Sequence, residues 1–159
     1  MMNALSQPNN LAIAIISDQK ALGSHGGTFT SAAWRTRDLN TEVTDTAGLV
    51  TVASNQFTLQ PGRYLIEASA PAYGCNTHKT RLQNITDATT VATGTTEHAN
   101  PTYGVQNRSF CDAVVTLTAS KTFELQHWCS TTSSTFGLGY VVASTNGVET
   151  FATIRITRL

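Results

Sequence analysis

Charge is scarce in this 159-residue sequence, and neither sign is in excess. Lys and Arg together number 10, as do Asp and Glu, so charged side chains make up 13% of the chain, against about 25% in an average soluble domain. The longest apolar run, residues 11–16, is six residues long, whereas a membrane-spanning helix needs about 20. Since Lys and Arg do not cluster either, we expect no nucleic-acid partner and no membrane insertion.

Cysteines are few and odd in number. They are Cys75, Cys111 and Cys129, with no Cys-x-x-Cys pair, and this pattern indicates neither a disulfide framework nor a structural zinc cluster. We expect three free thiols that are mostly buried, because an unpaired cysteine packs as a small apolar side chain. One disulfide with a leftover thiol is the alternative.

Motifs of catalysis are missing as well. The chain has no Gly-x-Ser-x-Gly elbow, no His-Glu-x-x-His and no Walker loop. Ser24 and His25 are adjacent in a glycine-rich loop, a placement that rarely produces a nucleophile–base pair. His127 and Cys129 share a strand face, but tetrahedral zinc needs about four converging ligands, so we expect His127 to be a hydrogen-bonded core residue. We predict a non-enzymatic protein with no cofactor and no bound metal.

Hydroxyl side chains and strict alternation are abundant by contrast. The 27 Thr and 12 Ser residues suit pleated strands, because Thr is branched at its β-carbon. Tyr64, Ile66 and Ala68 alternate with polar residues, and residues 109–117 and 121–130 show the same pattern. A period of two is typical of a half-buried strand.

Such segments follow one another about every ten residues with turn signals between them, as in a β-sandwich or barrel. Near the end, Asn146-Gly147 predicts a hairpin between a strand at 137–143 and a final strand at 149–158. Nothing indicates a linker or a second domain. We therefore predict one all-β domain, residues 11–159, preceded by an arm, residues 1–10.

Six segments carry a resemblance to a known group of proteins. They are Gly26–Thr30, Trp34–Glu42, Asn55–Leu59, Gly62–Tyr64, Ala68–Ala72 and Lys121–His127. These segments resemble the jelly-roll domain of phage structural proteins, whose fold is similar to the trimeric jelly roll of tumour necrosis factor and complement globular heads. The resemblance extends over residues 12–159 and implies a ten-strand antiparallel sandwich that forms a homotrimer on a virion.

The resemblance also implies where subunits meet, since apolar side chains of one outer sheet face approach the threefold axis in such trimers. For Trp128 the alternative is packing under a loop of its own subunit, and for Trp34 it is anchoring its own segment. We also expect a local ion pair between Arg37 and Asp38. The candidate trimer or partner contacts are Trp34, Arg35, Arg37, Tyr64, Trp128 and Tyr140.

Two virion roles are compatible with the resemblance, and an enzyme or a soluble signalling ligand on the same fold is a third alternative. We favour a capsid decoration (cement) protein that bridges the major capsid protein or other virion proteins. The uncharged segment 3–10 suits an arm with Leu5, Pro8 and Asn9 as candidate contacts, and about ten residues are too few for a fibre shaft. The alternative is a receptor-binding tip of a tail or head fibre. Such a tip would recognise a host surface glycan or protein through loops 72–76, 97–103 and 131–137.

Overall fold

Two antiparallel sheets face each other in the computed structural model, which describes residues 11–142 and 147–159. The all-β prediction is confirmed. In the described ranges no helix is long and apolar enough to cross a membrane. The strands are β1 (Ile13–Ala21), β2 (Arg35–Thr36), β3 (Thr41–Asp45), β4 (Val50–Ala53), β5 (Gln56–Leu59), β6 (Gly62–Tyr73), β7 (Asn76–Asn84), β8 (Thr89–Thr93), β9 (Glu97–Ala99), β10 (Gln106–Leu117), β11 (Lys121–Cys129) and β12 (Val148–Arg158).

The strand order is that of a jelly roll, in which the chain crosses repeatedly from one sheet to the other. The first sheet has the order β10-β6-β12-β1-β3. The second has the order β4-β5-β11-β7-β8, with β2 added beside β11 and β9 beside β7. Because β12 lies between β1 and β6, the last strand of the chain closes the centre of the first sheet.

The core consists of the inward-pointing residues of both sheets. In β6 burial alternates along the strand, so that Ile66 and Ala68 point inward while Glu67 is exposed. Within the second sheet, the rings of the paired residues Phe57 and Phe123 stack on its inner face with their centroids 5.5 Å apart. Each fully buried side chain of this size stabilises the fold by about 1.5–3 kcal/mol, so the alternation seen in the sequence is also the pattern that holds the sheets together.

A second, smaller core lies at the end of the sandwich where β6 turns into β7. It contains Phe29, Ala72, Cys75, Ala99 and Cys129, all 0% exposed. All three cysteines are free and buried, as the sequence predicts. This small core supports the loops that form one end of the molecule.

The described ranges contain twelve strands where ten are predicted, and the short strands account for part of the difference. β2 and β9 have two and three residues. The predicted strand at 137–143 is wrong for residues 137–142, which form turns and coil. The backbone N–H of Leu138 donates to the carbonyl of Gly27 at 3.0 Å, so this segment bonds to a loop instead of a neighbouring strand.

Three further predictions fall wholly or partly on residues outside the described ranges. They are the arm of residues 1–10, its contacts Leu5, Pro8 and Asn9, and the hairpin dipeptide Asn146-Gly147, of which Asn146 is not described.

Candidate functional site

The outer face of the first sheet carries apolar side chains in contact with solvent. Phe110 and Val114 on β10 are 53% and 55% exposed. The register places Val114 beside Leu65 of β6, and Leu65 is half-buried. We call this surface, formed by the outward residues of β10, β6 and β12, the first-sheet face. Exposed apolar side chains that cluster on one sheet face are typical of a surface that another molecule covers.

A row of charged residues crosses the same face between its apolar residues. Asp112 pairs with Glu67 in the ladder, and Glu67 pairs with Arg155 of β12. These side chains, with Phe110 and Thr153, line a hollow of about 260 Å³. Side chains of both charge signs therefore lie beside the apolar residues of this face.

The outer face of the second sheet carries both tryptophans, each half-buried. The Arg81 guanidinium lies over the Trp34 ring at 4.3 Å from its centroid, and Arg81 Nε donates to Gln126 Oε1 at 2.7 Å. Trp34 is thus engaged by its own chain. Trp128 lies opposite Lys79 in the ladder and lines a hollow of about 270 Å³ with Lys79 and Thr96.

Three loops converge at the end of the sandwich that the small core supports. The N–H of Gly74 donates to the Val105 carbonyl at 3.1 Å, that of Tyr73 to Gly137 at 3.0 Å, and that of Thr131 to Cys75 at 3.2 Å. These bonds join the β6–β7 turn, the β9–β10 loop and the loop after β11. The loops proposed from the sequence as a recognition surface therefore lie together.

Four aromatic rings cluster at this loop end, and we call His25, Tyr73, Phe136 and Tyr140 the aromatic cluster. Tyr140 contacts each of the others, with centroid distances of 4.8 Å to His25, 5.0 Å to Tyr73 and 5.4 Å to Phe136. Tyr140 is 43% exposed. Sequence reasoning named Tyr140 as a contact and placed Tyr73 and Phe136 in candidate recognition loops, but it did not bring the four rings together, because His25 and Tyr73 are far from Tyr140 in the chain.

Arg37 does not lie on the surface, so its prediction as a trimer or partner contact is wrong. The side chain is 0% exposed, and its guanidinium donates to the Pro71 carbonyl at 3.2 Å and to the Leu138 carbonyl at 2.6 Å. Burial lowers the pKa of Arg37 to about 10, and the nearby Asp18 and Asp38 carboxylates oppose that shift. Arg37 thus ties β6 and the loop after β11 together beneath the aromatic cluster.

The predicted ion pair between Arg37 and Asp38 is also wrong. The Asp38 carboxylate pairs instead with Lys20 Nζ at 2.8 Å, and Lys20 approaches Asp18 at 3.0 Å as well. Desolvation raises the pKa of the buried Asp18, and Lys20 acts in the opposite direction.

The prediction of Tyr64 as a trimer or partner contact is also wrong. It is 1% exposed and its hydroxyl donates to the Gln60 carbonyl at 3.1 Å, so it belongs to the core of its own subunit. Arg35 is exposed and donates through Nε to the Thr30 carbonyl at 3.2 Å. The candidate contacts that remain at least partly exposed are therefore Arg35, Trp34, Trp128 and Tyr140.

His127 is a buried core residue, as the sequence predicts. It is 0% exposed and its ring lies 4.7 Å from that of Phe29. Desolvation lowers its pKa well below the ordinary value, and the charge of Arg37 acts in the same direction. Within residues 11–142 and 147–159, no three His, Cys, Asp or Glu side chains are grouped as metal ligands.

Comparison with known proteins identifies the class of fold. No family model and no curated protein matches the chain, whereas solved structures do. Murine APRIL at pH 5.0 is 8% identical, with a TM-score of 0.59 over 94% of this chain and 100% of that one. The globular domain of zebrafish complement 1qA is 11% identical, with a TM-score of 0.58 over 93% of this chain and 96% of that one. The chain is a jelly roll of the tumour necrosis factor and complement globular-head type, and at this level of identity the likeness shows the fold alone.

Proposed function

We propose that the chain is the subunit of a non-enzymatic homotrimer on a phage virion, and that it decorates the capsid. The observation that carries the trimer is the first-sheet face. Phe110 and Val114 lie on β10, the edge strand of the first sheet, and leave about half of their side chains in water. The resemblance of the sequence to trimeric jelly-roll domains of phage structural proteins supports the virion location.

In this trimer the three first-sheet faces meet around a threefold axis. Phe110 and Val114 become buried, and Arg155 of one subunit approaches Glu67 and Asp112 of the next. Burial of one such apolar side chain contributes about 1.5–3 kcal/mol, so three copies together give a stable contact. The remaining surface has few charges, which keeps the desolvation cost of packing against capsid proteins low.

Decoration would then work by multivalency. Each subunit needs only a weak contact with the capsid, because three contacts held in one trimer act together. We propose that the arm of residues 1–10 supplies part of this contact by extending over a neighbouring capsid subunit.

The decoration proposal is tested with capsids of the phage that encodes the chain, prepared without this protein. The full chain and a variant lacking residues 2–10 are each mixed with the capsids and co-sedimented. We expect the full chain to bind in multiples of three and the shortened trimer to lose attachment. If both proteins bind equally, residues 1–10 do not contribute to attachment. If neither protein binds, the decoration role is wrong.

A second role, the receptor-binding tip of a fibre, is favoured by the aromatic cluster. Its rings lie at the converging loops, with Tyr140 43% exposed. Tyr73, the last residue of β6, connects the cluster to the end of the first-sheet face. A capsid decoration protein does not need such a cluster. Binding of the labelled protein to host cells, in the absence of virions, distinguishes this role from decoration.

A further inference from the structure

The aromatic cluster is held in place by the backbone around it. The N–H of Tyr140 donates to Gln106 Oε1 at 2.5 Å, and the N–H of Val141 donates to His25 Nδ1 at 3.3 Å. A Cβ on Gly26 would lie 2.7 Å from the Leu138 backbone, so the two loops that carry His25 and Tyr140 touch directly. The rings therefore have little freedom to lose when a ligand binds, and such preorganisation favours affinity.

The surroundings of the cluster carry no exposed charge from the loops that form it. Segments 22–34, 72–76, 99–106 and 130–142 contain no Asp, Glu, Lys or Arg, and are rich in Ser, Thr and Gly. The nearest acid, Glu149, is 7% exposed, and its carboxylate accepts the N–H of Gly23 at 3.2 Å. Hydroxyls, amides and aromatic faces are thus what this end of the molecule presents to a partner.

We propose that the aromatic cluster is the binding site for a neutral glycan, with a sugar ring stacked on Tyr140. An aromatic face carries partial negative charge, and the C–H groups on one face of a pyranose are its natural complement. Neighbouring Ser and Thr hydroxyls then hydrogen-bond the sugar hydroxyls. This inference rests on the recognition role proposed above and does not require the trimer or the capsid.

The lack of a free cation near the cluster among the described residues favours a neutral glycan over anionic ligands. A sialylated or sulfated glycan needs a cation to pair with, and the two arginines near the cluster are already engaged. Arg37 is 0% exposed and bound to two carbonyls, and the half-buried Arg108 donates to Ser69 Oγ and to the Phe151 carbonyl. Nucleic acid is disfavoured for the same reason. A protein partner would use aromatic side chains as well, but protein interfaces generally extend over about 800 Å² per partner, whereas the exposed ring of this cluster is Tyr140, at 43% exposure.

The test uses the full chain on a panel of immobilised neutral hexose and N-acetylhexosamine oligosaccharides, with sialylated and sulfated oligosaccharides as anionic controls. Affinity for the strongest neutral binder is then measured by titration calorimetry. We expect Tyr140→Ala to weaken it by about tenfold or more, which is the scale of one lost stacking contact, and Tyr140→Phe to retain most of it. Val43→Ala, which shortens an exposed apolar side chain on β3, serves as the control and should leave it unchanged.

Other outcomes overturn the proposal. Binding to anionic glycans only, or loss of binding with Val43→Ala but not with Tyr140→Ala, places the site or its chemistry elsewhere. Protease-sensitive, glycosidase-resistant binding to host cells identifies a protein receptor, in which case the recognition role stands and the glycan does not. Absence of binding to both the panel and host cells removes the recognition role itself.

Discussion

His78 Nδ1 lies 2.9 Å from His127 Nε2 in the interior between the two sheets. His78 Nε2 lies 2.9 Å from Asn107 Oδ1, and the Asn107 amide is oriented by its Nδ2, which donates to the His98 carbonyl at 3.3 Å. His78 must therefore donate through Nε2 and accept through Nδ1, so His127 donates through Nε2. Among the described residues, His127 Nδ1 has no hydrogen-bond partner. Both rings are consequently neutral, and an added proton would be buried without an acceptor.

This pair predicts that acid destabilises the fold. Desolvation lowers the pKa of His78 and of His127 below the ordinary value of 6.5, so the unfolded chain binds more protons than the folded chain just below that pH. Stability is therefore complete above pH 6.5 and decreases as the pH falls below it, with each histidine contributing at most about 1.4 kcal/mol per pH unit. Urea unfolding at a series of pH values from 8 to 5 measures this.

Substitutions distinguish the contribution of the His78–His127 pair to the pH dependence of stability from that of other titratable groups. His127→Gln should reduce the acid sensitivity while also lowering the stability at pH 8. His98→Gln, which alters an exposed histidine on β9, should leave the pH profile unchanged. A free energy of unfolding that stays constant between pH 7 and 5 in the native sequence would contradict the assignment of two neutral buried rings.

The burial of Arg37 predicts that its substitution lowers the free energy of unfolding much more than substitution of the nearby Arg35. Arg37→Met removes the donors to the Pro71 and Leu138 carbonyls and should lower the free energy of unfolding by about 3 kcal/mol, since hydrogen bonds from a charged group contribute about 1.5–3 kcal/mol each. Arg35→Met changes an exposed residue and should cost less than about 0.5 kcal/mol. Denaturant unfolding of the two variants gives the comparison, and equal losses would count against the buried role of Arg37.

The burial of the three cysteines predicts that their thiols react slowly with alkylating reagents in the folded protein. Cys75, Cys111 and Cys129 are at most 1% exposed. The Cys129 side chain and burial raise the pKa of the Cys75 thiol, and burial raises that of Cys111. The thiolate is the reactive form, so these shifts slow the reaction of Cys75 and Cys111. The hydrogen bond with Cys75 lowers the pKa of Cys129, so Cys129 is protected by its burial alone. Iodoacetamide should label none of the three in the native protein and all three in urea without reductant, as counted by intact-mass spectrometry. A single labelled cysteine in urea would indicate that two are joined in a disulfide.

The first-sheet face predicts which substitution breaks the trimer. Phe110→Glu places three carboxylates near the proposed axis in place of three apolar rings, and should weaken association by at least about 2 kcal/mol per subunit. Tyr103→Glu, which changes an aromatic residue 81% exposed on the β9–β10 loop, is the matched control. Analytical ultracentrifugation should show dissociation of the first variant alone, with both variants folded by circular dichroism. A Phe110→Glu trimer as stable as the native one would remove this face from the interface.

Strands with one buried face are the part of the fold that the sequence predicts well. β6 and β11 alternate clearly, and the alternation already placed His127 on the inner face. The same alternation put Tyr64 beside Ile66, so its burial was foreseeable, and its selection as a subunit contact was the error. β3 was missed because its residues are exposed or half-exposed, and such a strand leaves no alternating pattern to detect.

The loop end could not be predicted from local pattern. Arg37 is buried by contacts with carbonyls from distant segments, whereas arginines are mostly exposed. The apolar residues of 137–142 suggest a strand, but Leu138 packs against the small core and bonds to Gly27. The aromatic cluster depends on long-range contacts between His25, Tyr73 and Phe136, which only the tertiary structure brings together.

Solution mass is the most direct test of the homotrimer on which the proposed function depends. Light scattering after size exclusion should give three times 17.0 kDa, unchanged when the protein is diluted a hundredfold. A mass of 17.0 kDa at every concentration would contradict the account, because the exposed Phe110 and Val114 would then have no partner copy and the multivalent mechanism would be lost with the trimer.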